Sequence, residues 1–222
     1  MGVSVLNILV LVAHGDDEVI GCGGVLVKHV EAGDNVFLIV VADGVSSRQE
    51  SNKEKRDQAL HRSCDILGIQ LLHQFDFKDN RLDQYPLLEL VRAIESKIEK
   101  IQFDCVYTHS RKDLNVDHRV VQDIALTLFR PMPQSTVKSI YAFETLSATH
   151  WYDPDMPFKP QRFVDVEKYW GKKMKALEVY DMELREFPHA RSKKAITVLA
   201  QFRGCLSGVE KAEAFEILRL VE

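Results

Sequence analysis

Cysteine is scarce in this chain: the 222 residues hold four, Cys22, Cys64, Cys105 and Cys205, and no two stand in a CxxC pair. Such scatter argues against a disulfide framework and against a cysteine zinc site, and the thiols are expected as small core residues. Charge of one sign is nowhere concentrated and the net charge is only −4, so the chain carries no footprint of a nucleic-acid or membrane-surface partner. Long hydrophobic runs are missing as well. The apolar stretch near the start, Leu6 to Val12, falls far short of the ~20 residues that cross a bilayer. It has no basic residues before it and runs straight into a histidine and acids, unlike a signal peptide. No internal repeat and no low-complexity linker divides the sequence. These absences point to one cytoplasmic domain over residues 1–222 without membrane insertion, and they are compatible with a homo-oligomer.

What is present, in a composition that is 45% hydrophobic, is an alternation of apolar strand-like runs with amphipathic helical ones. That is the pattern of βαβ units, and it predicts an α/β fold with a mostly parallel sheet and helices on both faces. Leu6 to Val12 lacks the alternation of a half-solvated strand, so both its faces should be covered. A helix is expected over about 19–32, closed by Gly33, and then a second buried strand, Asn35 to Ala42. A helix over about 49–67 leads to a third strand near 71–75, a loop over 76–83 and a helix from Pro86 to about 99. A fourth strand covers 104–108 and ends at His109, and a helix over 117–129 follows. Beyond Arg130 the alternation loosens into a strand at 137–143, an irregular stretch over 145–162, a helix over 166–184, a break at 186–191, a helix over 192–202 and a closing segment at 212–221 that reads as a strand with a helix as the alternative. The loop-rich part, about 145–191, is expected to shape the pocket.

Two stretches carry chemistry, each just past a strand end, where open parallel sheets bind ligands. The first is AHGDDE, Ala13 to Glu18. His14 offers an imidazole, and Asp16, Asp17 and Glu18 set three carboxylates side by side, whose repulsion a divalent cation would relieve. Alone, the block suits the first turn of a helix equally well, through the helix dipole. The second stretch is HSRKDLNVDHR, His109 to Arg119. The first and fourth strands of such a sheet commonly flank the point where its winding reverses, so the two loops should share a rim, with His118 facing His14 and Asp17. Two histidines and one carboxylate with an open position form the ligand set of a catalytic zinc, and other first-row divalent ions suit the same donors.

AHGDDE, the GCGG that follows at 21–24, and DLNVDHR together resemble the LmbE-like, or PIG-L, family of zinc-dependent N-deacetylases, whose motifs read AHPDDE and HPDH or close variants. The likeness in order and spacing spans roughly the first two thirds of the chain. It implies a Rossmann-like fold and hydrolysis of an N-acetyl (acyl) group on an amino sugar, sugar nucleotide or glycoconjugate precursor, with one Zn2+ per chain. Carried across, it makes His14, Asp17 and His118 the metal ligands and Asp16 the base that takes a proton from water. Arg56 resembles a substrate-contacting arginine and Asp79 an acid that binds substrate hydroxyls. Arg48, Arg81 and Arg191, in or near rim loops, are further candidates for holding a phosphate or carboxylate.

Two positions depart from the family pattern. Gly15 stands in place of proline, which loosens the loop without removing a functional group. Asn115 stands, on the substrate side, where many members have the first histidine of HPDH, a residue held to stabilise the oxyanion or to act as general acid. The reaction still needs such a group, and histidine serves best near neutral pH. His189, in FPHAR at a helix break between Pro188 and Arg191, is the first candidate and His109 the second.

Three rival readings keep a place. A dinucleotide-binding oxidoreductase fits the alternation and GCGG, but these glycines follow an acidic block that would repel a pyrophosphate. Another zinc hydrolase, an esterase or phosphoesterase, would use the same residue types. A non-catalytic ligand-binding relative would explain Asn115 and leave Asp16 without a purpose.

Overall fold

A computed structural model describes residues 5–47, 52–151 and 153–222. Its elements run in the order Asn7–Val12 (β1), Asp17–Ala32 (α1), Asn35–Ala42 (β2), Lys53–Leu67 (α2), Gln70–Phe77 (β3), Leu87–Ile98 (α3), Cys105–His109 (β4), Val116–Leu128 (α4), Ser139–Phe143 (β5), Arg162–Asp165 (β6), Trp170–Glu178 (α5), Lys193–Ser207 (α6) and Ala212–Leu220 (β7), with short 3-10 turns between some of them. The sheet has seven strands in the order β3-β2-β1-β4-β5-β7-β6. β1 to β5 are mutually parallel, and β7 runs antiparallel to both β5 and β6. The winding reverses between β1 and β4, the pair expected to frame the ligand crevice.

The unbroken apolar sequence of β1 follows from its place at the centre. Ile8, Val10 and Val12 enter one buried cluster with residues of α1, α2, α5 and α6, while Leu9, Leu11 and Ala13 enter another with α3 and α4. Neither face meets water, so neither is polar. This is the single-domain, mostly parallel α/β fold, helices on both faces, that the alternation predicts.

The glycines of GCGG let α1 lie unusually close to the sheet. A Cβ on Gly21 would come within 2.1 Å of the Phe143 ring of β5, and one on Gly24 within 2.8 Å of Val166 Cβ. At that approach the side chain of Glu213, from β7, reaches into α1: its two oxygens accept the N–H groups of Gly24 and Val25, each at 2.8 Å. Lys173 of α5 donates to the Ile20 carbonyl at 3.0 Å and to Glu213 at 2.7 Å. An ion pair is thereby set into the middle of the helix whose first turn carries the acids.

Several boundaries differ from the sequence reading. β3 extends to Phe77, shortening the expected 76–83 loop, because an edge strand with half-buried residues tolerates Gln74 and Asp76. The helix expected over 166–184 is only α5. Past Glu178 the chain turns so that Tyr180 and Glu183 point inward. β6 breaks the irregular 145–162 stretch at its end, hidden in the sequence by its four-residue length. α6 runs on to Ser207 rather than stopping at 202. Cys205 is exposed on it, so only three of the four thiols are core residues. The expected start of the helix at 49 lies outside the described residues, where α2 is seen from its Asn52 cap onward. Among the described residues no helix is long and apolar enough to cross a membrane.

Gly21→Ala tests the close approach. Alanine should gain about 1 kcal/mol of helix propensity, but the overlap with a fully buried ring costs ~1–3 kcal/mol as overpacking. Denaturant unfolding should therefore show a net loss of stability, and a stabilised variant would contradict the packing.

Candidate metal centre

β1 ends in a loop that turns so sharply into α1 that Asp16, at the helix N-cap, takes φ 132°. Such a value is costly for a side chain other than glycine, and strain of this kind collects at functional sites. The turn sends the three consecutive acids in different directions. Asp17 points at histidines. Glu18 turns away from them, accepting hydrogen bonds from Ser63 Oγ at 2.9 Å, Tyr180 Oη at 2.7 Å and the Asp16 N–H at 2.9 Å. Asp16 faces arginines: Arg191 Nη1 lies 3.1 Å from its Oδ2, and Arg56 Nη2 lies 3.9 Å from its Oδ1.

Asp17 Oδ2 is 3.2 Å from His14 Nδ1 and 3.4 Å from His118 Nε2. Two donors bound tetrahedrally to one zinc at ~2.0–2.1 Å stand about 3.3 Å apart. The donor atoms of His14, Asp17 and His118 all lie within 4.8 Å of one another. Each histidine is also oriented from behind. His118 Nδ1 stands 3.1 Å from Asp113 Oδ2, and His14 Nε2 stands 3.1 Å from Asp117 Oδ2 and 2.9 Å from Asp79 Oδ1. Carboxylates on the far nitrogen are the usual supports of metal-binding imidazoles. Asp117 is itself pinned by the N–H groups of Asn80 and Leu82, at 2.7 and 3.0 Å. Asp17 Oδ1 and His118 Nε2 are buried without a hydrogen bond. The set fits a divalent ion.

The electrostatics agree. Burial alone would push His118 down, but the Asp17 and Asp113 carboxylates outweigh it and raise its pKa to about 9. His14 is raised in the same way, by hydrogen bonds to Asp117, Asp17 and Asp79 that exceed its desolvation. Asp17 is held well below the usual carboxylate range, its own burial overcome by His118 and His109. The protons on these histidines occupy the place a metal cation would take.

The remaining candidates divide. Arg56 is buried, donates to the Gly15 carbonyl at 3.1 Å and pairs with Glu183, so the loop that lacks proline is held by a side chain from α2. Arg191 also meets Glu183, at 2.9 Å. Asp79 touches His14 and accepts a hydrogen bond from Ser47 Oγ. Asn115 caps α4, its side chain accepting the Asp117 N–H at 2.8 Å. His109 is buried and stacked on His118 with ring centroids 3.9 Å apart, and its Nε2 accepts the Ala13 N–H at 3.0 Å. His189 is exposed, its Nδ1 accepting the Arg191 N–H at 3.0 Å. Arg81 is exposed, and Arg48 lies outside the described residues. The sequence reading missed Asp113, Asp117 and Glu183. The first two stand inside the second motif, two and one residues from Asn115 and His118. Glu183 gives no local signal, since its partners are 127 and 8 positions away.

A family model described as PIG-L, GlcNAc-PI de-N-acetylase, matches residues 9–129, which is more than half of the chain. The chain belongs to the PIG-L family. The matched span holds the candidate donors His14, Asp17 and His118 and the carboxylates beside them, Asp79, Asp113 and Asp117. The uncharacterized deacetylase YaiS of Escherichia coli K12 is 28% identical over 184 residues, covering 78% of this chain and 89% of that protein. The solved N,N'-diacetylchitobiose deacetylase of Pyrococcus horikoshii superposes with a TM-score of 0.78 at 21% identity, covering 97% of this chain and 85% of that one. GalB, the 4-carboxy-2-hydroxymuconate hydratase of Pseudomonas putida KT2440, gives 0.77 at 20% identity, covering 98% and 99%. At these identities the structures share the fold of this PIG-L protein.

The metal assignment makes a prediction at this site. The purified protein should retain one divalent ion per chain, and His14→Ala or His118→Ala should abolish retention in elemental analysis. Asp113→Asn should weaken binding by about 10–100-fold, the usual effect of removing a histidine's supporting carboxylate. Because both histidines are protonated more readily than a free imidazole, affinity should fall as the pH drops below about 9. A pH-independent affinity, or full occupancy in either alanine variant, would refute the assignment.

Proposed function

We propose that this PIG-L protein is a metal-dependent hydrolase that removes an N-acetyl group from a small, sugar-derived molecule, with zinc as the native ion. The observation that carries the reading is the divergence of two adjacent buried carboxylates. Asp17 lies among the histidines, while Asp16 turns to Arg191 and keeps its Oδ1 free of hydrogen bonds. One residue suits a ligand and the other a base. His14, Asp17 and His118 would hold a divalent ion, which would supply Lewis acidity and lower the pKa of a water towards neutrality. Asp16 takes the proton from that water. Burial raises its pKa above the ordinary carboxylate value, and the charge of Asp17 adds to this, against the opposing pull of Arg191 and Arg56. A base lifted towards the working pH accepts a proton more effectively. Arg191 and Arg56, bridged by Glu183, keep the carboxylate from swinging away, so the loop-rich segment 145–191 contributes one wall of the site. Asp79, Arg48 and Asn115 serve the sugar side.

Hydrolysis also needs a donor for the tetrahedral oxyanion and a proton for the departing amine. Of the two histidine candidates, His109 has Nε2 committed to the Ala13 N–H, which suits a brace for the β1 loop. His189 has Nε2 without a hydrogen bond among the described residues and sits two positions before Arg191, which reaches Asp16. His189 is therefore the proposed donor. Since GalB shares the fold and carries out a hydration, the fold does not choose the reaction. The family match and the deacetylase relatives favour amide hydrolysis.

The test is release of free amine from a panel of N-acetyl sugars by the metal-loaded protein. Release from none of them, or conversion only of an unsaturated acid by hydration, would overturn the reading. Asp16→Asn should keep its metal and lose about 10²–10⁴-fold in turnover. A fully metallated Asp16→Asn enzyme with near-normal activity would remove Asp16 from the reaction. His189→Ala should keep metal and stability while kcat falls by roughly 10²-fold, and His109→Ala should cost less. Unchanged kcat in His189→Ala would end its assignment.

A further inference from the structure

The oxygen of Asp113 that faces His118 has a second neighbour. Thr149 Oγ donates to Asp113 Oδ2 at 2.8 Å, while His118 Nδ1 stands 3.1 Å from the same atom. The other oxygen, Oδ1, accepts the Asn115 N–H at 2.9 Å. With a donor on each oxygen, the carboxylate has little freedom to rotate. Asp113 and Thr149 are 1% and 4% exposed, so no bulk water competes for these oxygens.

Thr149 lies in the irregular stretch after β5, outside both motifs, and its hydroxyl is aimed by its own surroundings. Its Oγ accepts the Thr145 N–H at 2.7 Å. A hydroxyl carries a single hydrogen, and with the Thr145 N–H occupying a lone pair that hydrogen is directed at the carboxylate. The turn is closed by the Ala148 and Thr149 N–H groups, which donate to the Thr145 carbonyl at 2.9 and 2.8 Å. It docks on the second motif where the Leu114 N–H meets the Ala148 carbonyl at 3.3 Å. At its base Glu144 is clamped by Arg203 of α6, at 2.7 and 2.6 Å. A β-branched side chain on a turn fixed in this way has few rotamers open to it.

We infer that Thr149 is a positioning residue for the metal centre, acting on His118 through Asp113. The inference rests on the assignment of His118 as a metal ligand and carries it one residue further out. Which ring nitrogen of a histidine bears the hydrogen is set by the partner of the other nitrogen. A carboxylate held opposite Nδ1 keeps the hydrogen there and leaves the Nε2 lone pair for the ion, on the side of Asp17 Oδ2, 3.4 Å away. Without the Thr149 hydroxyl, Asp113 Oδ2 would have only the imidazole to fix it, and carboxylate and ring could turn together. The turn 145–149 thereby serves the metal centre, although it lies beyond the stretch that the family model matches.

The Zn2+ affinity of the full chain, measured by competition with a chelator below the melting temperature, tests this. Thr149→Val keeps the shape of the side chain and removes the hydroxyl. It should weaken binding by about 3–10-fold, short of the 10–100-fold expected for Asp113→Asn. Thr149→Ser, which keeps the hydroxyl, should retain the wild-type affinity. Valine also strands the buried Thr145 N–H, so its melting temperature should fall, but a turn that served stability alone would leave the affinity of the folded protein unchanged. Thr149→Ala gives the same readout if the valine variant does not fold. In the double variant Thr149→Val/Asp113→Asn the two losses should not add, because residues in contact that act in series are coupled. Wild-type affinity in the valine and alanine variants, a serine variant as weak as they are, or full additivity in the double variant overturns the inference and leaves the metal assignment standing. A wild type that takes up no Zn2+ overturns both.

Discussion

Seven carboxylates, those of Asp16, Asp17, Glu18, Asp79, Asp113, Asp117 and Glu183, are buried around the C-terminal end of β1. A buried charge is tolerated only when it is paired or hydrogen-bonded, and an unmatched one costs several kcal/mol or gives up its charge. Most of the surrounding structure can be understood as the response to this constraint. Asp117 takes the N–H groups of Asn80 and Leu82, and Asp113 takes the Asn115 N–H and the Thr149 hydroxyl. Glu183 takes two arginines. Glu18 is held by two hydroxyls and a backbone N–H, yet burial still lifts its pKa to about 7. After these pairings the buried oxygens without a hydrogen bond in the cluster are Asp16 Oδ1 and Asp17 Oδ1. One sits with the metal donors and the other with the arginines.

Holding acids in place also demands a rigid platform, and α1 is fixed at its middle as well as at its ends. The glycines permit contact with Phe143 and Val166, and the Lys173–Glu213 pair occupies backbone groups of α1 at Ile20, Gly24 and Val25. α5 and β7, which follow the irregular segment, are thereby tied to the helix that begins with Asp17. The C-terminal third is part of the site's foundation even though it lies outside the family match at 9–129.

The legibility of these features in the sequence tracks how local their causes are. β1 was readable because burial on both faces leaves an unbroken apolar run, and the shared rim of His14 and His118 was readable because strand-end loops on β1 and β4 must adjoin. The block Asp16–Glu18 was readable as chemistry but not as three separate fates, since the φ of 132° at Asp16 that separates them appears only when the loop is built. β6 was lost because four residues on a sheet edge carry no periodicity. The inward turn at Tyr180 and Glu183 was lost because its cause is a set of partners far along the chain: Glu18, Arg56 and Arg191. Gly15 shows the same limit from the other side. The missing proline suggested a looser loop, whereas Arg56, 41 positions away, holds the Gly15 carbonyl.

Glu183 also bears on the role proposed for Asp16, a base beside two guanidinium groups. Arg191 and Arg56 both pull the Asp16 pKa down, and unopposed they would keep the carboxylate ionised but too weakly basic to draw a proton from water. Glu183 contacts both arginines and, with Asp17, pushes the Asp16 pKa up, so that together with burial the net displacement is upward. The arginines then act as positional restraints whose pull on the Asp16 pKa is countered chiefly by burial, with Asp17 and, less strongly, Glu183 adding to it. A neutral residue at 183 would remove that contribution together with the ion pairs that hold both guanidiniums beside Asp16, so the third acid and the two cations form one arrangement.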